Sequence, residues 1–238
     1  VFFGVATGWS MASKISAAPV AVLLPAAVVL ILLRLDKLDR AKFWPILLRN
    51  LVVGGIVALL VFRIFQPYAF SGPGFVSGLN PKWVQNLTEL SAQSGGDVDF
   101  PPALQWARRP LSFAWENMVV WGLGLPLGIM AWAGLFIMGW RMLRGEFQKH
   151  ALLWLWTGAY FAWQSINFTR SMRYQLPIYP MLAIIAAWGI FALWQRRDEA
   201  RNWLGRIWQK VQRPLAVVVG AVVLVGTFLW AYAFVQIY

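Results

Sequence analysis

The chain alternates between long apolar runs and shorter polar segments. The apolar runs lie at positions 2–12, 15–33, 44–65, 118–140, 151–168, 174–194 and 215–235. About 20 consecutive apolar residues cross the hydrocarbon core of a bilayer. Six of the runs meet this length approximately, and the run at 2–12 is a partial span. The pattern therefore predicts an all-α, polytopic membrane protein with about six full spans and one partial span.

The composition agrees with this prediction and excludes several classes of enzyme. Of 238 residues, 60% are hydrophobic and 13% are charged, whereas soluble domains are about half apolar and a quarter charged. Cysteine is absent and His150 is the only histidine, which excludes disulfides and thiol catalysis and argues against a histidine-built metal site. The motifs of P-loop ATPases, zinc proteases and serine hydrolases are also absent. We therefore assign no metal-ligating residues.

The positive charge is concentrated between apolar runs. The chain has a net charge of +12, and 14 of its 21 Lys and Arg residues lie in the loops 34–49, 141–150 and 195–213. These loops alternate along the chain, and the positive-inside rule predicts that they are cytoplasmic. The loop 66–117 and the short loop around Arg170 then face outward. We expect a multi-pass protein of the plasma (inner) membrane, with no nucleic-acid partner.

The outer loop 66–117 is the only long polar segment. Within it, PKWVQNLTELSAQS predicts a short helix capped by Asn80, with Pro81 at its first position. The following GGDVDFPPALQWARRP is rich in Gly and Pro and predicts an ordered, irregular loop. We expect residues 1–238 to form a single transmembrane domain that contains this loop. Because Val1 opens directly into an apolar stretch without a charged leader, we expect an N-terminally truncated fragment.

Cations near the ends of the apolar runs have two interpretations. Arg49 and Arg63 lie near the ends of one run, where long side chains extend to the lipid headgroups. Arg170, Arg173 and Lys14 lie at the outer boundary, against the usual charge bias. Headgroup contact would explain them too. The alternative is an anion site, because arginine makes paired hydrogen bonds to phosphate.

Carboxylates in the outer loop form a weaker candidate. Asp97 and Asp99 are two residues apart, and paired carboxylates serve as a base or as metal ligands. A solvated loop, or ion pairs with Arg108 and Arg109, would explain the same residues. Both alternatives stay open at this level.

Several segments resemble one family of membrane enzymes. MRYQLPIYPMLAIIAAWG resembles a late span of the form R-Y-x-L-P-x-Y-P, and GVATGWSMASKISAAPVAVLLP resembles a glycine-spaced helix followed by a lysine. GDVDFPPALQWARRP and NMVVWGLGLPLGIMAWAG resemble bacterial members. Together they cover most of the chain. The family is the protein O-mannosyltransferase-like group, glycosyltransferase family 39, which has the GT-C membrane fold.

The resemblance implies an activity and a set of site residues. Such enzymes transfer a sugar from a polyprenyl-phosphate donor to a protein, lipid or glycan acceptor on the outer face of the membrane. Metal dependence varies in the family, so a divalent cation is the one cofactor left open. As a hypothesis, the donor-phosphate residues are Arg170, Arg173, Lys14 and Tyr174. The loop candidates are Asp97, Asp99, Arg108 and Arg109.

The catalytic residue implied by the family has no match in this chain. It is an Asp in the first outer loop, and we expect it upstream of Val1. We therefore do not carry that role to Asp97 or Asp99. The catalytic residue stays unknown.

Two other functions compete with the transferase hypothesis. A transporter or flippase of lipid-linked sugars predicts polar residues in mid-span and inverted repeats. No repeat is visible, and the mid-span polar residues are few: Thr157, Gln164, Ser165 and Thr227. The other alternative is a catalytically inactive membrane subunit, which needs neither a long ordered outer loop nor outer cations.

Overall fold

A computed structural model describes residues 1–74, 76–99, 101–195 and 203–237. Within these ranges the secondary structure is helical, apart from one isolated bridge between Phe70 and Leu79. The prediction of an all-α protein is confirmed. The chain divides into two compact units, and each is described by itself. The first comprises Val1–Arg108 with Asn167–Thr169, and the second comprises Arg109–Ile166 with Arg170–Tyr238.

The first unit contains four α-helices and three 3-10 helices among its described residues. The α-helices are α1 (Phe2–Ser13), α2 (Leu23–Arg34), α3 (Lys37–Phe65) and α4 (Pro81–Gly95). The 3-10 helices are Ile15–Val22, Pro67–Ala69 and Pro101–Trp106. Helix α3 packs against both α1 and α2.

Small residues allow α1 and α3 to approach closely. Gly4 and Gly8 are four residues apart, so they share one face of α1, and both are buried. A Cβ atom built on Gly8 would lie 2.6 Å from the carbonyl oxygen of Ala58, and one on Gly4 would collide with the carbonyl oxygen of Gly54. This spacing of glycines brings helix backbones together in membranes. The close packing of α1 therefore depends on the absence of side chains at these two positions.

Helix α3 begins earlier than the apolar pattern predicts. The Asp36 side chain accepts a 2.9 Å hydrogen bond from the backbone N–H of Asp39, which caps the helix before Lys37. Most of the segment 34–49, predicted as a loop, is therefore helical, and that part of the prediction is wrong. The charged residues at positions 37–42 belong to the helix, because charged side chains such as lysine and arginine are compatible with helical structure.

Helix α4 confirms the helix predicted inside the outer loop. Asn80 accepts a 3.0 Å hydrogen bond from the backbone N–H of Lys82, and Pro81 is the first helical residue. Gly96 closes the helix in the left-handed conformation, with φ of 83°, a backbone geometry that glycine adopts without steric cost.

The second unit contains five α-helices among its described residues. They are α5 (Phe113–Asn117), α6 (Leu125–Arg141), α7 (Phe147–Ile166), α8 (Tyr179–Trp194) and α9 (Trp203–Val235). The π-helical segments Met118–Gly122 and Met142–Glu146 flank α6, and the 3-10 helices Met172–Tyr174 and Leu176–Ile178 precede α8. Helix α6 packs against α8 and α9. Their shared core contains Met118, Leu135, Met138, Leu182 and Ile185.

The chain reverses direction between α6 and α7. Gly145 has φ of 98° and ψ of 1°, which interrupts the helical backbone. The indole N–H of Trp154 donates to the carbonyl of Leu135 at 2.9 Å, although the two residues are 19 positions apart. The two helices therefore form a hairpin. The loop predicted at 141–150 is wrong in its secondary structure, because all but the turn at Gly145 is helical.

Two other predicted boundaries also shift. The span predicted at 118–140 is interrupted at Gly124, where φ is 77°, and its α-helix begins at Leu125. In the predicted loop 195–213, residues 196–202 lie outside the described residues, and α9 already begins at Trp203. The part of the predicted loop from residue 203 to residue 213 is therefore helical.

Five stretches of the described chain are long and apolar enough to cross a membrane. They are Ile15–Arg34, Lys37–Phe65, Leu125–Ile166, Leu176–Trp194 and Lys210–Val235. The prediction of a multi-pass, all-α membrane protein is confirmed at this level. The third stretch has 42 residues and contains both α6 and α7.

Candidate functional site

Three of the four predicted phosphate residues, Arg170, Arg173 and Tyr174, lie on the segment that links α7 to α8. Two short 3-10 helices, Met172–Tyr174 and Leu176–Ile178, form half of this segment. Pro177 and Pro180 each lie at the start of a helical element, where the missing N–H group costs no hydrogen bond. The two prolines therefore stiffen the entry to α8 without breaking it.

Polar residues of α7 hold this segment from behind. Tyr160 is 3% exposed, and its hydroxyl donates to the carbonyl of Tyr174 at 3.1 Å. The side-chain amide of Gln175, which is 1% exposed, donates to the Ser165 hydroxyl at 3.3 Å and to the Phe161 carbonyl at 3.4 Å. Phe161 and Ser165 are four residues apart, as are Tyr160 and Gln164, so each pair lies on one face of α7. The polar face of α7 therefore anchors the segment that carries the arginines.

The sequence alone did not identify Gln175 or Tyr160 as part of this arrangement. The visible signal was a glutamine inside the run 174–194 and a set of polar residues in the preceding run. Gln164 also belongs to the set, because its amide lies 3.5 Å from the Tyr160 hydroxyl. Two of the mid-span polar residues, Gln164 and Ser165, thus help to hold this segment, whereas the buried hydroxyls of Thr157 and Thr227 have no hydrogen-bond partner among the described residues.

Arg170 is largely engaged by backbone carbonyls. Its Nε donates to the carbonyl of Ser165 at 3.0 Å, and its Nη1 donates to the carbonyl of Arg109. The side chain is half-buried. Arg170 therefore joins the end of α7 to the chain that precedes α5, with one terminal nitrogen left outside these two bonds.

Arg173 differs from Arg170 in exposure and in partners. Its side chain is exposed, and its guanidinium carbon lies 5.4 Å from the centre of the Tyr174 ring. It makes no hydrogen bond or ion pair with the described residues. A guanidinium carries five N–H donors in a planar fork. Arg173 thus presents these donors to the surroundings from a segment that is fixed by hydrogen bonds.

The remaining cation and acid candidates divide between the two units. Lys14 is exposed at the end of α1, where its backbone N–H donates to the carbonyl of Ser10 at 2.9 Å. Asp97, Asp99 and Arg108 are exposed in the first unit.

The alternative explanation for the two acids is a pairing with arginine. Neither Asp97 nor Asp99 forms an ion pair with Arg108.

In the second unit, the guanidinium of Arg109 lies 4.8 Å from the centre of the Phe113 ring. The structure therefore joins Arg170 to the backbone of Arg109 and places Arg173 beside the Tyr174 ring. Across the described ranges, no group of three or more His, Cys, Asp or Glu residues is arranged to hold a metal ion.

Arg63 lies outside the predicted set and is buried. Only 8% of its surface is exposed, so its side chain packs against protein atoms and does not extend outward as the sequence-based interpretation predicted. Its Nη2 donates to the carbonyl of Gly74 at 2.7 Å and to that of Gly72. The loop that follows α3 thus folds over the side chain.

We predict that Tyr160→Phe loosens the anchored segment. The substitution removes the hydroxyl that bonds the Tyr174 carbonyl, and the loss of one such bond costs about 1 kcal/mol. The expected result is a fall in Tm of about 2–4 °C, measured by circular dichroism in detergent. Tyr232→Phe is the matched control, because Tyr232 is 59% exposed on α9. Equal Tm values for the two variants would show that the Tyr160 bond does not hold the segment.

Comparisons with known proteins add no neighbour: no family model, no curated protein and no solved structure matches this chain. The family suggested by the motifs therefore stays a prediction. The functional argument rests on the residues themselves.

Proposed function

We propose that the protein is a membrane glycosyltransferase that uses a polyprenyl-phosphate-linked sugar on the outer face of the plasma membrane. The acceptor is a hydroxyl group of a protein, lipid or glycan. The observation that carries the proposal is Arg173, which is exposed and without a hydrogen-bond partner among the described residues, on a segment that buried polar groups hold in place.

The chemistry explains why such an arginine is useful. In the transfer, the bond between the sugar C1 and the phosphate oxygen breaks, and a bond forms between C1 and the acceptor oxygen. The acceptor hydroxyl gives its proton to a base, and polyprenyl phosphate leaves with the bonding electrons. Negative charge develops on the leaving phosphate, so donors already placed at that position lower the barrier.

The residues around Arg173 have supporting roles in this proposal. Arg170 fixes the segment through its two backbone bonds and has one nitrogen left for a phosphate oxygen. Tyr174 flanks the guanidinium of Arg173 with its ring. The apolar stretch Leu176–Trp194 begins three residues after Arg173, a position that matches the depth of a lipid phosphate beside a span. Lys14 stays a further phosphate candidate, from the first unit.

The membrane arrangement in this proposal has six full spans. Helices α6 and α7 count as two spans because the chain reverses at Gly145, and α1 is the partial span. The basic segments 34–49, 141–150 and 195–213 then face the cytoplasm, and the segment with Arg173 faces outward. This order is compatible with the GT-C fold that the resemblance implies.

The acidic component of the reaction lies outside the donor-phosphate set. The family implies an Asp for which residues 1–238 contain no matching position. Asp97 and Asp99 are exposed and stay loop candidates for work as a base or with a divalent cation. Arg108 and Arg109 stay candidates for contacts with the donor or acceptor.

The proposal is tested with the full-length protein reconstituted in liposomes. Polyprenyl-phosphate hexoses with a radiolabelled sugar are supplied, and the release of polyprenyl phosphate and the labelled acceptor are measured. We expect release from at least one lipid-linked hexose and none from nucleotide sugars. Transfer from a nucleotide sugar, or no release with any lipid-linked hexose, contradicts the proposal. Movement of the intact donor across the bilayer without release identifies a transporter instead.

A further inference from the structure

The last turn of α3 contains a buried cation in the first unit. Arg63 is 8% exposed. Its guanidinium carbon lies 4.2 Å from the centre of the Phe70 ring, and its Nη2 bonds the carbonyls of Gly72 and Gly74. These contacts place the charge at a defined position between helix and loop.

The charge of Arg63 is not balanced by an acidic group of the described chain. No described Asp or Glu forms an ion pair with it, and its Nη1 is buried without a hydrogen-bond acceptor. The carbonyl ends of α3 supply only partial negative charge. Removal of a charged group from water costs several kcal/mol unless an opposite charge compensates, and an unused buried donor adds to this cost. An anion in an adjoining space would supply the missing opposite charge.

A cavity of about 420 Å³ adjoins this arginine. Its walls include Arg63, Ile64, Pro67, Phe70, Ser71 and Pro73. The volume falls in the range of small-molecule sites and exceeds what one phosphate group needs. The walls are mainly apolar with one cation, which suits an anion that carries an apolar substituent.

We propose that this cavity binds a phosphate group, with Arg63 as its cationic partner. Arginine pairs with phosphate through parallel, charge-assisted hydrogen bonds. Arg63 lines the cavity, and its charge has no acidic partner among the described residues. The phosphate comes either from a lipid headgroup or from a soluble compound, and the apolar walls favour the lipid. The cavity residues belong to the first unit, whereas Arg173 belongs to the second.

Binding is measured with the full-length protein in phosphatidylcholine nanodiscs. Every sample carries Arg173→Gln, which removes the main cation of the other proposed phosphate site. One arm measures radiolabelled inorganic phosphate by equilibrium dialysis, and the other measures phosphatidic acid by native mass spectrometry. We expect Arg63→Gln to weaken binding about 10-fold or more, because hydrogen bonds to a charged group are lost.

A second variant separates binding from folding. Pro73→Trp fills the cavity, and the Gly72 and Gly74 carbonyls that Arg63 bonds lie in the main chain on either side. We expect a loss of binding similar to that of Arg63→Gln with Tm retained. Arg49→Gln is the charge-matched control, because Arg49 is exposed on the same helix.

The two arms and three variants give distinct outcomes. Arg63-dependent binding of phosphatidic acid alone identifies a lipid headgroup, and binding of inorganic phosphate as well identifies a site for a soluble phosphate group. Binding of neither probe overturns the proposal. Equal loss in Arg49→Gln, or full binding in Pro73→Trp, also overturns it and leaves Arg63 as a structural tie for the loop.

Discussion

Replacement of Arg173 by glutamine in the full-length protein is expected to reduce the rate of sugar transfer about 100-fold. The guanidinium is exposed and bonds no described residue, so the fold is expected to keep its stability within about 0.5 kcal/mol. Arg173→Lys retains the charge without the planar fork, and an intermediate rate is expected. The measurement is the initial rate of polyprenyl phosphate release at several donor concentrations, with Tm recorded for each variant.

The concentration dependence of the rate identifies what Arg173 does. A fall in kcat indicates that the guanidinium stabilises the transition state, whereas a rise in KM alone indicates that it binds the donor equally before and during transfer. Arg144→Gln is the control, because Arg144 is an exposed arginine of the second unit in the basic segment 141–150, away from the proposed phosphate residues in the sequence. Unchanged turnover in Arg173→Gln would remove Arg173 from the phosphate site.

The second large effect is expected from Gly8→Ala in α1. The added Cβ would lie 2.6 Å from the carbonyl oxygen of Ala58 and 2.7 Å from Cβ of Val61. Both contacts are too short, so α1 must move away from α3. Overpacking of this kind costs about 1–3 kcal/mol, and backbone contact places Gly8 at the upper end. The expected result is a clear fall in Tm, measured by circular dichroism in detergent.

The control for this variant is the same substitution in the partner helix. Gly55→Ala in α3 places its Cβ in open space, with no atom within 4 Å. Alanine is a better helix former than glycine by up to about 1 kcal/mol, so this variant is expected to be neutral or stabilising. If the two variants unfold at the same temperature, the close approach at Gly8 does not stabilise the first unit.

Much of the fold could be predicted from local signals. The apolar runs indicated an all-helical membrane protein, and Asn80 with Pro81 predicted the start of α4. The apolar runs place the starts of α3 and α9 too far along the chain, because the first residues of both helices lie in charged segments outside the runs. Charge ends a membrane span, but it does not end a helix, and both helices continue into their basic segments.

The candidate site was predictable only in part. The position of Arg173 before an apolar run indicated a cation at the outer boundary of a span, and the structure shows its side chain exposed. The engagement of Arg170 was not visible, because its acceptor at Arg109 lies 61 residues away in the chain. The burial of Arg63 was also hidden, because it depends on the path of the loop that follows α3. Hydropathy describes single positions, whereas these contacts depend on where distant backbone groups meet.

The turn at Gly145 also bears on how many times residues 125–166 cross the membrane. A straight helix of 42 residues would be about 63 Å long, twice the bilayer core of about 30 Å. Residues 125–166 could cross the membrane once as a straight helix, or twice with a reversal at Gly145. The chain after Ile166 lies on opposite sides of the membrane in these two cases. In the proposed arrangement with two crossings, the left-handed backbone of this glycine thus sets the side of the membrane that Arg173 faces.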